Sequence, residues 1–352
     1  MDNRYAKQCL DKVVKKARVH FYKPIQIAEI LYRDRLECDI NLGDVETYRT
    51  NSRKWRDEIC LKLLRRTSTS SAKFQDNLFE PNATPPSVLM RLGEINRKHD
   101  GAVEVYIYDA FKRRHFQMSA GLGLVNQLGK TDFVLKDFIK VFRRDPGLSR
   151  SVDKIFEIVV YALFSVLLES LEVKIGIRIE NSKNIILQEF EDFTKRVLGL
   201  SKGTLEAYQD PKVYRAGVTN AADRGLDMWA NFGVAIQIKH LSLTPPMVDD
   251  IASDITADRI IIVCKECERK ILVSVLQQFG SASKIQSVIT EDDLDLWYGK
   301  ALRGRSAELI GDKVMKRLED EIKVEFPSTT EFEEFFAKRR YDFLSPIGIW
   351  ED

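Results

Sequence analysis

Residues 225 to 243 read GLDMWANFGVAIQIKHLSL, and an acid, Asp227, and a lysine, Lys239, stand in this otherwise largely apolar stretch. The pattern predicts a strand at GLDMW, a turn at Asn231-Phe232-Gly233 and a second strand at VAIQIKHLSL, folded as an antiparallel hairpin that carries Asp227 towards Gln237. Side chains on a strand alternate between faces, so Gln237 and Lys239 share one face while Ile236 and Ile238 take the other. Lysine is depleted in strands, and a desolvated ammonium needs a counter-charge. Asp227 is the acid placed to supply it. The competing reading is an edge-strand lysine whose stem packs while its head stays in water.

An aspartate, an amide oxygen and an ammonium on adjoining strands suit a small, hard cation with a basic group beside it. Mg²⁺ takes oxygen ligands in octahedral array and keeps several waters, so Asp227, Gln237 and the main-chain carbonyl of Ile238 suffice once a phosphate adds another oxygen. A metal held there lowers the pKa of its bound water and stabilises charge developing on a phosphodiester, with Lys239 orienting or helping to deprotonate that water. The string Asp then Gln-x-Lys is short enough to arise by chance. Its weight comes from a hairpin followed by a helix and a buried strand.

Working outward, SVDKIFEIVVYALFSVLLESL (151 to 171) reads as one long apolar helix, KIGIRIE as a strand, LQEFEDFTKRVLGL as an amphipathic helix and VYRAG as a strand. Beyond the hairpin, TPPMVDDIASDI restarts a helix, RIIIVCKE is a short buried strand and ERKILVSVLQQFG is a helix that stops at Gly280. Helices alternating with near-continuous apolar strands predict an α/β fold, a sheet flanked by helices and buried at least partly on both faces. Residues 151 to 352 are assigned to this α/β domain.

Residues 1 to 150 carry 29 Lys and Arg against 19 Asp and Glu, whereas residues 151 to 352 carry 26 against 34. Such asymmetry points the first half at a polyanion and favours nucleic acid. Two helix-like pieces, PIQIAEILYRDRLE and TNSRKWRDEICLKLLRR, lie there. In the second, Trp55, Ile59 and Leu63 form a stripe with Cys60 and Leu64 beside it, and Arg53, Lys54, Arg56, Lys62, Arg65 and Arg66 cover the rest. The pair resembles a helix-turn-helix, with an amphipathic surface helix as the alternative. TSTSSAKFQDNLFEPNATPP, residues 67 to 86, reads as a linker. GAVEVYIYDAF alternates like a strand, and Lys112, Arg113 and Arg114 follow it as a second basic group. SAGLGLVNQLGKT lacks the glycine spacing of a phosphate loop and is read as a turn.

A 352-residue chain of 44% apolar and 31% charged composition is that of a soluble globular protein. Its longest apolar run falls short of the roughly 20 residues a bilayer span needs, and MDNRYAKQCLDKVVKK does not read as a secretory leader. Five cysteines, scattered and odd in number, argue against a disulfide framework and for the cytoplasm. Cys264 and Cys267 read as ordinary strand-end cysteines, since no second ligand pair has zinc spacing. His240 points away from Lys239 and is read as structural. His99 and His115 lie in basic runs and are expected to meet solvent or phosphate.

ADRGLD followed by VAIQIKH resembles the core of the PD-(D/E)XK nucleases, in the variant where Gln replaces the acid before x-Lys. The wider text, NSRKWRDEICLKLLRR, SSAKFQDNLFEPNA, TNAADRGLDMWANFG and IQIKHLSLT, resembles the HaeII family of type II restriction endonucleases over most of the chain. The resemblance implies that Asp227 is the metal-binding aspartate, Gln237 the second ligand position and Lys239 the catalytic lysine. Glu157, on the apolar helix, is the candidate for an added helical acid, with Glu206 behind it; Asp223 is a neighbouring support or a cap. Also implied are Mg²⁺, double-stranded DNA cut at a palindrome of purine-GCGC-pyrimidine type, a homodimer, a cognate DNA methyltransferase and no membrane. Two rivals remain open: a modification-dependent or repair nuclease of the same core, and a DNA-binding regulator whose core has lost activity through Gln237.

Overall fold

The computed structural model describes residues 2–17, 20–68, 70–127, 129–144, 151–216, 226–268, 284–325 and 330–351. Its longer elements run, in chain order, as α1 (Asn3–Lys16), α2 (Tyr22–Leu36), α3 (Arg49–Leu64), α4 (Pro86–Lys98), α5 (Ala102–Gln127), α6 (Leu135–Arg144) and α7 (Val152–Ser170). Then follow β1 (Ile175–Arg178), β2 (Glu206–Gln209), β3 (Val213–Arg215), β4 (Met228–Ala230), β5 (Val234–Lys239), α8 (Pro245–Asp254), β6 (Arg259–Cys264) and β7 (Ile285–Thr290). The chain ends in α9 (Glu291–Arg303), α10 (Ala307–Glu325) and α11 (Thr330–Arg339). The helix read at 268 to 280, beyond its first residue, and Asp223 lie outside the described residues.

The central sheet has the order β3-β4-β5-β6-β7, antiparallel across β3, β4 and β5 and parallel across β5, β6 and β7. The Asn231–Gly233 turn closes the expected β4–β5 hairpin, with Gly233 at φ 83°, a conformation a side chain would oppose. Strand alternation sorts the hydrophobic residues as expected. Met228, Ala230, Ile236 and Ile238 face a core built on α7, α9 and α10, whereas Ala235, Ile260 and Ile262 face α8. The sheet is thus mixed and flanked by helices, the α/β architecture the sequence predicts.

A second core fills the N-terminal helices. In α2 Ile25, Ile27, Ala28, Ile30 and Leu31 are all fully buried, so the helix is enclosed on every side and its polar residues must be paired. Glu29 is held by both Arg339 guanidinium nitrogens at 2.7 Å and by the Tyr108 hydroxyl. Residues Phe133 to Phe142 belong to the sheet's core, whereas Phe332, Phe335, Phe336 and Trp350 return to the helical one. The two cores therefore share the chain differently from a single cut at residue 150.

Three sequence expectations are corrected here. GAVEVYIYDAF is not a strand but the start of α5. Its alternation is a coincidence of a helix buried nearly all round, in which Glu104 pairs with Arg35 at 2.9 Å and Tyr108 with Glu29, so polar residues stand inside with apolar ones. The turn read at SAGLGLVNQLGKT is likewise helical as far as Gln127. The segment 67 to 86 is no loose linker: it contains the short helix Ala72–Asp76, and Gln75, Leu78, Phe79 and Thr84 are buried.

Candidate active site

β4 begins at Met228, which lies opposite Ile236, so the preceding residue, Asp227, falls beside Gln237 at the open end of the hairpin. There its carboxylate Oδ2 accepts a hydrogen bond from the Ile238 backbone N–H at 2.7 Å. In an extended strand the N–H and C=O of one residue point to the same side. The Ile238 carbonyl therefore faces the same open edge as the Asp227 carboxylate. Gln237 and Lys239 flank that position on a common face, as the alternation requires.

Gln237 is 3% exposed, and its Oε1 is buried without a hydrogen-bond partner. A buried carbonyl oxygen left unpaired costs about 1–3 kcal/mol, so a cation coordinated by this oxygen would offset that cost. Among the described residues no three His, Cys, Asp or Glu side chains converge as a metal cage. One carboxylate, one amide oxygen and one backbone carbonyl nevertheless fit a cation that keeps several of its waters.

Burial pushes the Asp227 carboxyl up to about 6, helped by the Glu157 charge and opposed by the Ile238 N–H, Lys239 and Lys154. Both Glu157 and Lys239 thus act on the same carboxylate. Glu157 projects from the second turn of α7, buried, with its Oε2 held by the Lys154 ammonium and 3.7 Å from Arg215 Nη2. Glu206 stands apart from this group: it lies exposed on β2, bonded to the Tyr208 hydroxyl at 2.6 Å. His240 takes the face opposite Lys239 and pairs through Nδ1 with Asp153 of α7, as a structural contact.

Because the Asp227 pKa is raised from 3.8 to about 6, the fold binds this proton more tightly than the unfolded chain does. Its stabilising contribution is complete below pH 3.8 and is lost as pH rises through 6. In metal-free buffer Asp227→Asn should therefore match the parent near pH 4 and exceed its stability by about 3 kcal/mol at pH 8. Urea unfolding at the two pH values checks this, and a difference that does not grow with pH refutes it. Metal affinity of the parent should fall correspondingly below about pH 6, where the proton competes.

Two charged residues of this site escaped the sequence reading. Arg215 shares its face of β3 with buried Val213, the same alternation that singled out Lys239, and meets Glu321 at 2.9 Å and Glu325 at 3.3 Å. Lys154 precedes Glu157 by one helical turn, a spacing that pairs side chains on a helix surface.

The basic residues read on α3 and α5 divide into two sets. Arg53, Lys54, Lys62, Arg65, Lys112 and Arg113 remain at least partly exposed, with Lys62 and Lys112 over the rings of Phe335 and Phe336 of α11. Arg56 is corrected: it is 1% exposed, and its guanidinium binds Asp57, Gln26 and Gln75, leaving nothing to offer a phosphate. Arg66 is turned to Glu325 and the Val324 carbonyl, and Arg114 to the Ala17 carbonyl and the Phe21 ring. His115 is corrected as well. It is 1% exposed, between Phe111 and Phe332, and burial with the nearby His20 and Arg114 charges pushes its pKa down to about 3.

A mixed five-stranded sheet with helices packed on it is consistent with the core of a restriction endonuclease. The chain belongs to the HaeII restriction endonuclease family, whose profile matches residues 6–341. It is 54% identical over 343 residues to the type II restriction enzyme HaeII of Haemophilus aegyptius, spanning 97% of each chain. It is 50% identical over 346 residues to the type II restriction enzyme NgoBI of Neisseria gonorrhoeae, spanning 97% of this chain and 98% of that one. No solved structure matches it. It is a type II site-specific deoxyribonuclease that acts on double-stranded DNA, and enzymes of this kind generally use a divalent metal. That membership favours the nuclease over the inactive-regulator reading. Among the described residues no helix is long and apolar enough to cross a membrane.

Proposed function

We propose that the chain is a Mg²⁺-dependent endonuclease that cuts both strands of duplex DNA at a short palindrome of purine-GCGC-pyrimidine type. It works in the cytoplasm as a homodimer, alongside a cognate DNA methyltransferase. The observation that carries the catalytic part is the Asp227 carboxylate held on the Ile238 amide, between Gln237 with its orphaned oxygen and Lys239. Asp227, Gln237 Oε1 and the Ile238 carbonyl would hold the ion, with Glu157 as the added acid of α7. The ion supplies charge for the phosphoryl oxygens and acidifies a bound water.

The protein's own part is positional. The Ile238 N–H fixes the Asp227 carboxylate, and Lys154 and Arg215 restrain Glu157. Lys239 places its ε-amino group where, as the ammonium, it orients the attacking water and the phosphoryl oxygens or, as the neutral amine, takes up the water's proton. Two antiparallel strands present their scissile phosphates about a two-fold axis, so two copies of the chain supply the two sites. The palindrome is taken from the family likeness. The exposed cations of α3 and α5 are the proposed phosphate contacts.

A mapped plasmid carrying purine-GCGC-pyrimidine sites tests this reading. Discrete fragments with Mg²⁺, none in EDTA, and protection by methylation of the site are expected. Fragments that map to other sequences overturn the target, and cleavage undiminished in EDTA overturns the metal.

A further inference from the structure

Between α7 and β3 the chain makes an excursion, residues 171 to 210, that has almost no core of its own. Leu187 and Leu200 are its only buried residues. Within it three short helical segments, Ile185–Glu189, Glu191–Phe193 and Thr194–Leu198, follow one another. Ile186, Phe190, Phe193 and Val197 recur along them at intervals of four, three and four, which keeps them near one side of the run although the chain bends at Phe190 and its last turn is a π-helix. The stripe faces outward, at 62%, 49%, 54% and 60% exposure. Ile185 at 76% and Tyr208 at 67% add to the exposed apolar surface of the excursion. A helix whose apolar stripe is its exposed side lacks its partner.

We infer that this stripe is the surface on which two copies of the chain associate, each packing antiparallel against the same stripe of the other; the inference rests on the two-copy reading above. Nucleic acid does not fit the surface, because residues 171 to 210 carry six Lys and Arg against seven Asp and Glu. A second copy does. Glu189, Glu191 and Asp192 occupy the first half of the helical run, and Lys195 and Arg196 the second. Antiparallel docking of two identical runs sets each acidic half against a basic half, whereas parallel docking sets like against like. Lys195 and Lys202 now reach Glu191 within the chain at 3.4 Å and 3.8 Å, and both are about half exposed, so these charges are free to be shared across an interface. The four residues of the stripe expose on the order of 500 Å², at the upper end of a monomer's largest apolar patch, and with Ile185 and Tyr208 the excursion exposes roughly 800 Å², close to what one partner of a stable dimer covers.

Sedimentation equilibrium of the full-length chain, with and without a purine-GCGC-pyrimidine duplex, provides the test. The parent is expected to be a dimer. Phe193→Glu with Val197→Glu should weaken it about a hundredfold and leave the melting temperature unchanged at a concentration low enough that parent and variant are both monomeric, since both side chains are exposed. Glu191→Lys with Asp192→Lys, and separately Lys195→Glu with Arg196→Glu, should each weaken association, and an equimolar mixture of the two should restore it. A folding defect cannot produce that recovery. Variants that dimerise as tightly as the parent overturn the surface and leave the two-copy reading standing. A parent monomeric under both conditions overturns both, and the plasmid digest independently reports whether the nuclease is sound.

Discussion

Lys239→Ala is expected to lower DNA cleavage by about 10³-fold or more, the scale of removing a group that handles a proton and stabilises charge at one site. The fold should survive. Lys239 is the last residue of β5 and only partly buried, and its backbone pairing with β6 opposite Cys264 does not need the ammonium. Retained binding of a purine-GCGC-pyrimidine duplex in a gel shift, together with an unchanged melting temperature, separates lost chemistry from lost structure. Asp227→Ala should abolish cleavage to a similar extent, because the carboxylate on the Ile238 amide is the acid the hairpin contributes to the site. Cleavage that survives Lys239→Ala removes the site assignment, whatever the metal dependence.

Arg215→Met is expected to be among the most destabilising single changes in the chain, at about 3–5 kcal/mol. The guanidinium is 14% exposed and faces Glu157 at 3.7 Å, Glu321 at 2.9 Å and Glu325 at 3.3 Å. Burial opposes its charge, yet Glu325, Glu157 and Glu321 hold its pKa above the usual value. Glu325, whose own burial works against ionisation, is held below the usual carboxylate range by Arg215, Arg66 and His20. Removing the arginine leaves three carboxylates of α7 and α10 short of their shared counter-charge. Thermal unfolding measures the loss, and adding Glu321→Gln to the variant should recover part of it. A fall in melting temperature of less than about 2 °C shows that solvent or the remaining cations compensate, and ends the argument.

The hairpin at 225 to 243 could be read in one dimension because strand side chains alternate and a turn with glycine closes locally. Burial of Ile236 and Ile238 on one face, with Gln237 and Lys239 on the other, follows from that period alone. The same rule applied to Val213 and Arg215 would have marked Arg215. VYRAG reads as a strand, but the carboxylates that give Arg215 its role come from α7 and α10, far away in sequence. α5 shows the opposite case. Its first turns alternate polar and apolar as a strand would, and only the buried partners of Glu104 and Tyr108, Arg35 and Glu29, reveal why polar residues are tolerated at inward helical positions.

Charge was the least legible property. Arg53 and Arg56 are equivalent in a list of basic residues on an amphipathic helix, but Arg56 turns inward to Gln26 and Gln75, contributed by α2 and by the segment after α3. No local pattern distinguishes them. The return of Phe332 and Phe335 to the N-terminal core, far from their neighbours in sequence, was equally invisible.

By itself the sequence determined the α/β class, the hairpin, the pairing of Asp227 with the strand that bears Gln237 and Lys239, and the asymmetry of charge. All of these follow from interactions between residues near one another along the chain. Only the tertiary structure decided which cations face solvent, that Glu157 acts on the Asp227 carboxylate while Glu206 lies exposed on β2, and that the apolar residues at 186 to 197 are exposed. Each of these depends on which distant segment is packed against a residue, and burial and electrostatic energy are set by that neighbour rather than by the local pattern.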